Sequence, residues 1–316
     1  MRFVLDGDQR LFADSLHKLL ERSDTPGAVR AWAAGDHAPG RRLWKALAEA
    51  GVFALAVPEE HDGAGVLPVE LVTALHELGR HAVPGPVVET VAATTLLAAV
   101  GGDTAAEWLP RVAAGEALVS VAHPYALDAD VADLVLVVQD GHVHVAEPGG
   151  TPRTSLDPAR RLFEATPVRV LGPVPENGLD LGVLACAAQQ IGVGRRLLEV
   201  SVEYAKARQQ FGRPIGEFQA VKHHLADALV ELEYARPLVH AAALSYGSHD
   251  FARDVSAAKV AASEASYRTA KTALQVHGAI AYTDEYDPSL WIRKARALHT
   301  AWGSPSVHRA RLLAAL

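Results

Sequence analysis

The sequence predicts a mainly helical protein with a small β-rich domain in the middle of the chain. Three observations carry this. Apolar residues recur at spacings of three and four over most of residues 1–118. After Leu118 the texture becomes β-branched and alternating. From Gly178 onward the helical pattern returns, in runs long enough to build a bundle.

Taken in order, Leu5, Phe12, Leu16, Leu19 and Leu20 mark one face of a first helix. Trp44, Leu47, Ala50 and Phe53 repeat that spacing in a second, with Gly51 expected near its end. Pro58 and residues 61–65 form a loop rich in breakers. A third helix is expected over Pro68–His81, before Pro84, and a fourth over Val87–Val100. Leu134–Val138 and His142–Val145 flank Asp140-Gly141, the sequence of a tight hairpin. Val168–Leu171 reads as a further strand. A β region of this size is a poor independent core, so it is expected to lean on the helical parts. Long helices follow over 180–206, 217–246 and 251–276, broken at Gly212-Arg213-Pro214 and at 247–250. A shorter C-terminal helix would complete a four-helix bundle. The expected domains are 1–118, 119–176 and 177–316.

A chain of 316 residues is long enough for a large core. Its net charge of −7 leaves no basic surplus to neutralise phosphates, which argues against nucleic acid as a partner. One cysteine, Cys186, excludes an intramolecular disulfide. The first residues mix charges into apolar positions, unlike a secretory signal, and no apolar run reaches bilayer length. The expected compartment is the cytosol, with no membrane partner.

Two segments carry chemistry. Residues 208–219 lie between two long helices and offer Arg208, Phe211, Gly212, Gly216 and, in the next helix's first turn, Gln219. An arginine that forks onto phosphate, glycines that admit a close backbone and a helix N-terminus suit a pyrophosphate carrying a planar ring. On these residues alone an ordinary interhelical turn is the commoner reading. Residues 275–286 end a long helix, where Gln275 and His277 precede Gly278 and Ala279. A ligand could lie against that backbone, while the plainer reading is a helix terminus with glycine beyond it. Gly192-Val193-Gly194 has the start of a dinucleotide fingerprint but lies in a helical pattern with no strand before it, and is rejected. The fifteen histidines contain no HExxH and no Cys–His cluster, so a metal site is not expected, and no GxSxG elbow is present.

In this order, the two segments resemble those of the acyl-CoA dehydrogenase family, and the resemblance covers most of the chain. Residues 47–63, with Gly51 and Pro58-Glu59-Glu60, look like its N-terminal glycine and Pro-Glu-Glu stretch. Arg208, Phe211, Gly212, Phe218 and Gln219 match Arg-x-x-Phe-Gly…Phe-Gln. Gln275, Gly278, Ala279, Tyr282, Thr283, Glu285 and Tyr286 resemble Gln-x-x-Gly-Gly…Tyr-Thr-x-Glu-Tyr. The resemblance implies an N-terminal helical domain, a β middle domain and a C-terminal four-helix bundle. It also implies FAD at a subunit interface, contacted by Arg208, Phe211, Gln219, Gln275, His277 and Gly278.

The departures from the family decide the expected role. Trp302 stands where the family's catalytic glutamate precedes a Gly-Thr pair, and Gly182 stands at the alternative glutamate position. Neither accepts a proton, and a missing general base costs on the order of 10²–10⁴ in rate. No catalytic residue is therefore expected in this chain. The middle domain is short and has no counterpart, after 119–122, of the Glu-Pro-x-x-Gly-Ser-Asp segment. Together these resemble the small, non-catalytic β subunit of actinobacterial α₂β₂ steroid acyl-CoA dehydrogenases. There a catalytic α subunit holds the acyl-CoA and shares FAD with its partner. A homo-oligomeric pseudoenzyme with a binding or regulatory role is the alternative. A complete enzyme using His299 as base ranks third.

Overall fold

The computed structural model describes residues 4–315. Met1–Phe3, part of the stretch read against a secretory signal, and Leu316, the last residue of the third expected domain, lie outside the described residues. The chain divides into two compact units, one of Leu5–Ala74 with Val83–Ala185, the other of Leu75–Ala82 with Cys186 onward.

The first unit opens with α1 (Gly7–Glu21), α2 (Thr25–Ala33) and α3 (Ala38–Glu49). Asp6 starts α1 through a capping box: its carboxylate accepts from the Gln9 amide at 2.9 Å while the Gln9 side chain accepts from the Asp6 amide. Trp44 stacks on Phe53 at 4.1 Å. Phe53, expected on the same helix as Trp44, lies instead in a 3-10 turn, because Gly51 (φ 80°) ends α3 first. The fourth helix, α4, covers Pro68–Arg80. α5 (Val87–Val100) is buried over nearly every residue to Leu97, as a helix apolar all round must be, and α6 (Gly102–Ala113) packs against it.

A four-stranded sheet follows, ordered β1-β3-β4-β6. Its strands are β1 (Val119–Ala122), β3 (Leu134–Gln139), β4 (His142–Pro148) and β6 (Ala165–Pro173). β1 runs parallel to β3 and the other pairs are antiparallel. Asp140 (φ 50°) and Gly141 (φ 72°) both take the left-handed backbone that a two-residue hairpin needs, as the sequence predicts. Two short strands, β2 (Ala126–Leu127) and β5 (Leu162–Phe163), pair beside it. The β core is small, mostly alanines with Val135 and Phe163, and β1 is tied to α5 by the Thr90 hydroxyl on the Val119 carbonyl at 2.8 Å. Buried Asp128 accepts weakly from Arg161, which also binds Asp130 at 2.6 Å. Burial pushes the Asp128 carboxyl up to about 7, against the opposing pull of Trp32 and Arg161.

The second unit is helical. Its long members are α7 (Asp180–Ala207), which begins in the first unit, α8 (Gln219–Leu244) and α9 (Phe251–His277). Two short helices, α10 (Pro288–Leu298) and α11 (Pro305–Ala314), pack on α9, where one was expected. Pro288 and Pro305 start them, and the break between is a turn with Trp302 and Gly303 both at positive φ. Gly192 and Gly194 are packing residues: a Cβ on the first would lie 1.9 Å from the His76 carbonyl, and on the second 2.6 Å from Leu232. Both lie inside α7, in agreement with their rejection as a dinucleotide fingerprint.

Candidate functional site

The Arg208 loop is a miniature hairpin. β7 (Gln209–Gln210) pairs with β8 (Arg213–Pro214), and Phe211-Gly212 forms the turn. Gly212 at φ 83° suits such a turn, but Phe211 at φ 53° does not, since a Cβ crowds the backbone there. The Phe211 ring is 92% exposed and meets only the edge of Phe218, with centroids 6.1 Å apart. A bulky apolar side chain held in strained backbone and offered to solvent is a candidate contact site. The Arg213 guanidinium lies over the Phe218 ring at 4.3 Å. Ile215 donates to the Arg208 carbonyl at 2.8 Å and closes the loop. A Cβ on Gly216 would lie only 3.0 Å from the Ala205 carbonyl, so the loop passes close to α7 there. α8 then begins at Gln219 without a side-chain cap, so its first amides remain available to an anion.

The second segment ends α9. Gln275 is exposed in the last turn and Gly278 is the C-cap, at φ 67° and ψ −146°. That conformation belongs almost wholly to glycine, and nothing lies within 4 Å of where its Cβ would be. A ligand can therefore approach the Gly278 backbone on an open side. His277 is different, at only 4% exposed. Its Nε2 faces the Ser201 hydroxyl at 3.3 Å and its Nδ1 the Tyr286 hydroxyl at 2.7 Å, while the Tyr204 ring lies 4.4 Å away. Burial pulls its pKa down to about 4, so the ring is neutral at physiological pH.

These contacts bring the two segments together. Tyr204 and Ser201 sit one and two turns before Arg208 on the helix that leads into the loop, and both touch His277. α8 and α9 form an antiparallel hairpin joined through residues 245–250, with an Arg268–Glu231 ion pair between them. The start of α8 and the end of α9 therefore lie at one end of the pair. Arg208, Phe211, Gln219, Gln275 and Gly278 gather there, with His277 beneath them.

Trp302 is elsewhere. Its carbonyl accepts from His308, which also meets Ser256, and neighbouring His299 bonds the Ser263 carbonyl at 3.2 Å. Ser263 lies fourteen residues before His277 on α9, about 20 Å along the axis. Trp302 is 3% exposed with φ 59°, so the position is filled by a buried indole. His299 is kept below the usual histidine range, mainly by burial. The turn is held at three carbonyls. Leu298 O accepts from Gln190 at 2.8 Å and from the buried Lys259 ammonium at 3.2 Å, Ala301 O faces the Cys186 thiol at 3.9 Å, and Trp302 O takes the His308 bond at 2.8 Å. Gly182, in the first turn of α7, is buried. No motif points to Ser201, Tyr204 or Lys259, and the first two lie among several other polar residues on α7.

An exposed arginine in the loop before uncapped helix amides, an exposed ring and an open glycine make a candidate wall for a dinucleotide. Residues 6–116 match the model of the acyl-CoA dehydrogenase N-terminal domain, and residues 173–316 that of its C-terminal domain. The acyl-CoA dehydrogenase IpdE2 of Mycobacterium tuberculosis is 36% identical over 304 residues, covering 94% of each chain. The chain belongs to the acyl-CoA dehydrogenase family, whose members include structures solved with FAD. Two solved structures share the fold at a TM-score of 0.86. One is a variant of the Tcur3481-Tcur3483 steroid ACAD, 24% identical and covering 97% of both chains. The other is the ChsE4-ChsE5 complex from Mycobacterium tuberculosis, 23% identical and covering 99% of this chain and 98% of that one.

Proposed function

We propose that this chain is the non-catalytic subunit of a heteromeric acyl-CoA dehydrogenase, supplying one wall of an FAD site to a catalytic partner. The observation that carries this is Trp302, a buried indole at the position where the family places its base, with buried Gly182 at the alternative position. The reaction would be α,β-desaturation of an acyl-CoA. Arg208 and the first amides of α8 would meet the pyrophosphate. Phe211, Gln219, Gln275 and the Gly278 backbone would line the same wall, with His277 acting from beneath. Bound there, FAD supplies the hydride acceptor. This chain's residues bind and orient it, and the partner holds the acyl-CoA and the proton-accepting carboxylate.

The two-chain complexes of similar fold support a heteromeric partner, for which we propose an α₂β₂ assembly, and the steroid ACAD among them supports a steroid-derived CoA thioester as substrate. The working boundaries are 1–118, 119–176 and 177–316, and the cytoplasm is the proposed compartment. No helix among the described residues is long and apolar enough to cross a membrane.

The test is the visible absorption spectrum of the chain purified alone and after co-expression with the acyl-CoA dehydrogenase encoded beside it. Bound flavin and acyl-CoA oxidation only in the co-expressed material is the expected result. Stoichiometric FAD and turnover from the chain alone would overturn the reading and point to His299.

A further inference from the structure

Residues 278–280 and 282–285 are exposed, and only Ala281 within the segment is buried. Ile280 and Tyr282, 43% and 75% exposed, are its apolar members. Within the segment, Thr283 bonds the Ile280 carbonyl through its amide and its hydroxyl, and outside it Arg293 reaches Asp284. Its one buried side chain, Ala281, contributes little apolar burial toward ordering the eight residues. Yet the two residues that bracket the segment, His277 and Tyr286, are joined side chain to side chain at 2.7 Å.

We propose that His277 is a positioning residue. Its Nδ1 and the Tyr286 hydroxyl form a clasp that closes loop 278–285 and holds the Gly278–Tyr282 turn in the shape offered to FAD.

The hydrogen-bond inventory fixes the direction of each bond. The Ser201 hydroxyl donates its one proton to the Leu197 carbonyl at 2.7 Å. Its oxygen is then an acceptor toward His277, so Nε2 carries the ring proton. Nδ1 is left with a lone pair, and Tyr286 must donate to it. The imidazole is the link in a chain that runs from α7 through Ser201 and His277 to Tyr286. Burial keeps the ring neutral, so the Nδ1 lone pair survives across the working pH range. His277 thereby serves the wall without touching it, which explains a buried histidine beside an exposed segment.

The proposal deepens the reading of this end as a dinucleotide wall and rests on it, so the test has two readouts. Amide hydrogen exchange over 278–286 is measured in the chain alone, and FAD retention in the co-expressed complex. Tyr286→Phe removes the donor. His277→Asn places an amide oxygen close to the former Nδ1 and can still accept from Tyr286. His277→Gln reaches toward Ser201 instead. Exchange across the loop should rise roughly fivefold in Tyr286→Phe and His277→Gln, the factor one ordinary hydrogen bond supplies. It should stay near the parent rate in His277→Asn, and exchange in the rest of α8 and α9 should not change. FAD retention should follow the same order, and adding His277→Asn to Tyr286→Phe should rescue nothing. Unchanged exchange in Tyr286→Phe, or equal behaviour of the Asn and Gln variants, overturns the clasp. Altered exchange with unaltered FAD retention leaves a local closure but removes its positioning role. A complex that retains no FAD even in the parent refutes the dinucleotide wall instead, and the exchange result still decides the clasp.

Discussion

Phe211 trades stability for contact, and the size of that trade follows from its backbone. A non-glycine residue in the left-handed region costs roughly 1–2 kcal/mol, a cost that asparagine and glycine largely escape. Against this, the 92% exposed ring contributes little burial, and its edge contact with Phe218 is worth about 0.5 kcal/mol at such exposure. Phe211→Asn should therefore stabilise the isolated chain by about 1 kcal/mol, roughly 2 °C in Tm for a protein of this size. In the co-expressed complex the same variant should lose FAD if the ring given up belongs to the proposed wall. Calorimetry of the chain alone, paired with the flavin spectrum of the complex, reads both. A chain destabilised by 1 kcal/mol or more would refute the argument, since the ring would then be serving the fold of the single chain. Undiminished flavin in the complex would refute the other half.

Trp302→Glu puts a carboxylate into a buried position and should cost several kcal/mol without producing acyl-CoA turnover in the chain alone, checked by chemical denaturation and an electron-acceptor assay. Gly278→Ala has open space but the wrong backbone. About 1–3 kcal/mol of strain is expected, with loss of bound flavin in the complex by its visible spectrum. Asp128 is an acid whose folded pKa is raised, to about 7, so the folded state holds the proton more tightly. Its contribution is present at acid pH and is lost as pH rises from about 4 to 7, at most about 1.4 kcal/mol per unit. Asp128→Asn should flatten that part of the stability curve relative to the parent, measured by urea unfolding at a series of pH values.

Sequence periodicity located the long helices well because each is long and bounded by strong breakers. The expected spans 180–206, 217–246 and 251–276 lie within two residues of α7, α8 and α9 at every end. The hairpin was legible in Asp140-Gly141 for the same local reason. α2 is hard to read from periodicity because it has only nine residues, with Pro26 and Gly27 in its first turn, although Asp24 followed by Pro26 is a usable start signal. α6 carries Pro110 and follows two glycines, which hid the face made by Leu109 and Val112. β1 is four residues buried on both faces, so it has no alternation to find. At the site, the motif residues were legible because glycines and an arginine punctuate the loops. Their support was not. Ser201 is 76 residues from His277, and Arg161 is 33 from Asp128, so only the folded chain makes them neighbours.

The turn that carries Trp302 bears on how this chain could change over generations. Its backbone is pinned at Leu298, Ala301 and Trp302 by side chains from three other segments, and its indole is buried. On the proposed reading, regaining a base there would take at least two alterations, one to replace the buried indole and one to release the backbone. Such a path is a ratchet. On that same reading, selection could refine the chain as a companion more readily than it could return it to independence.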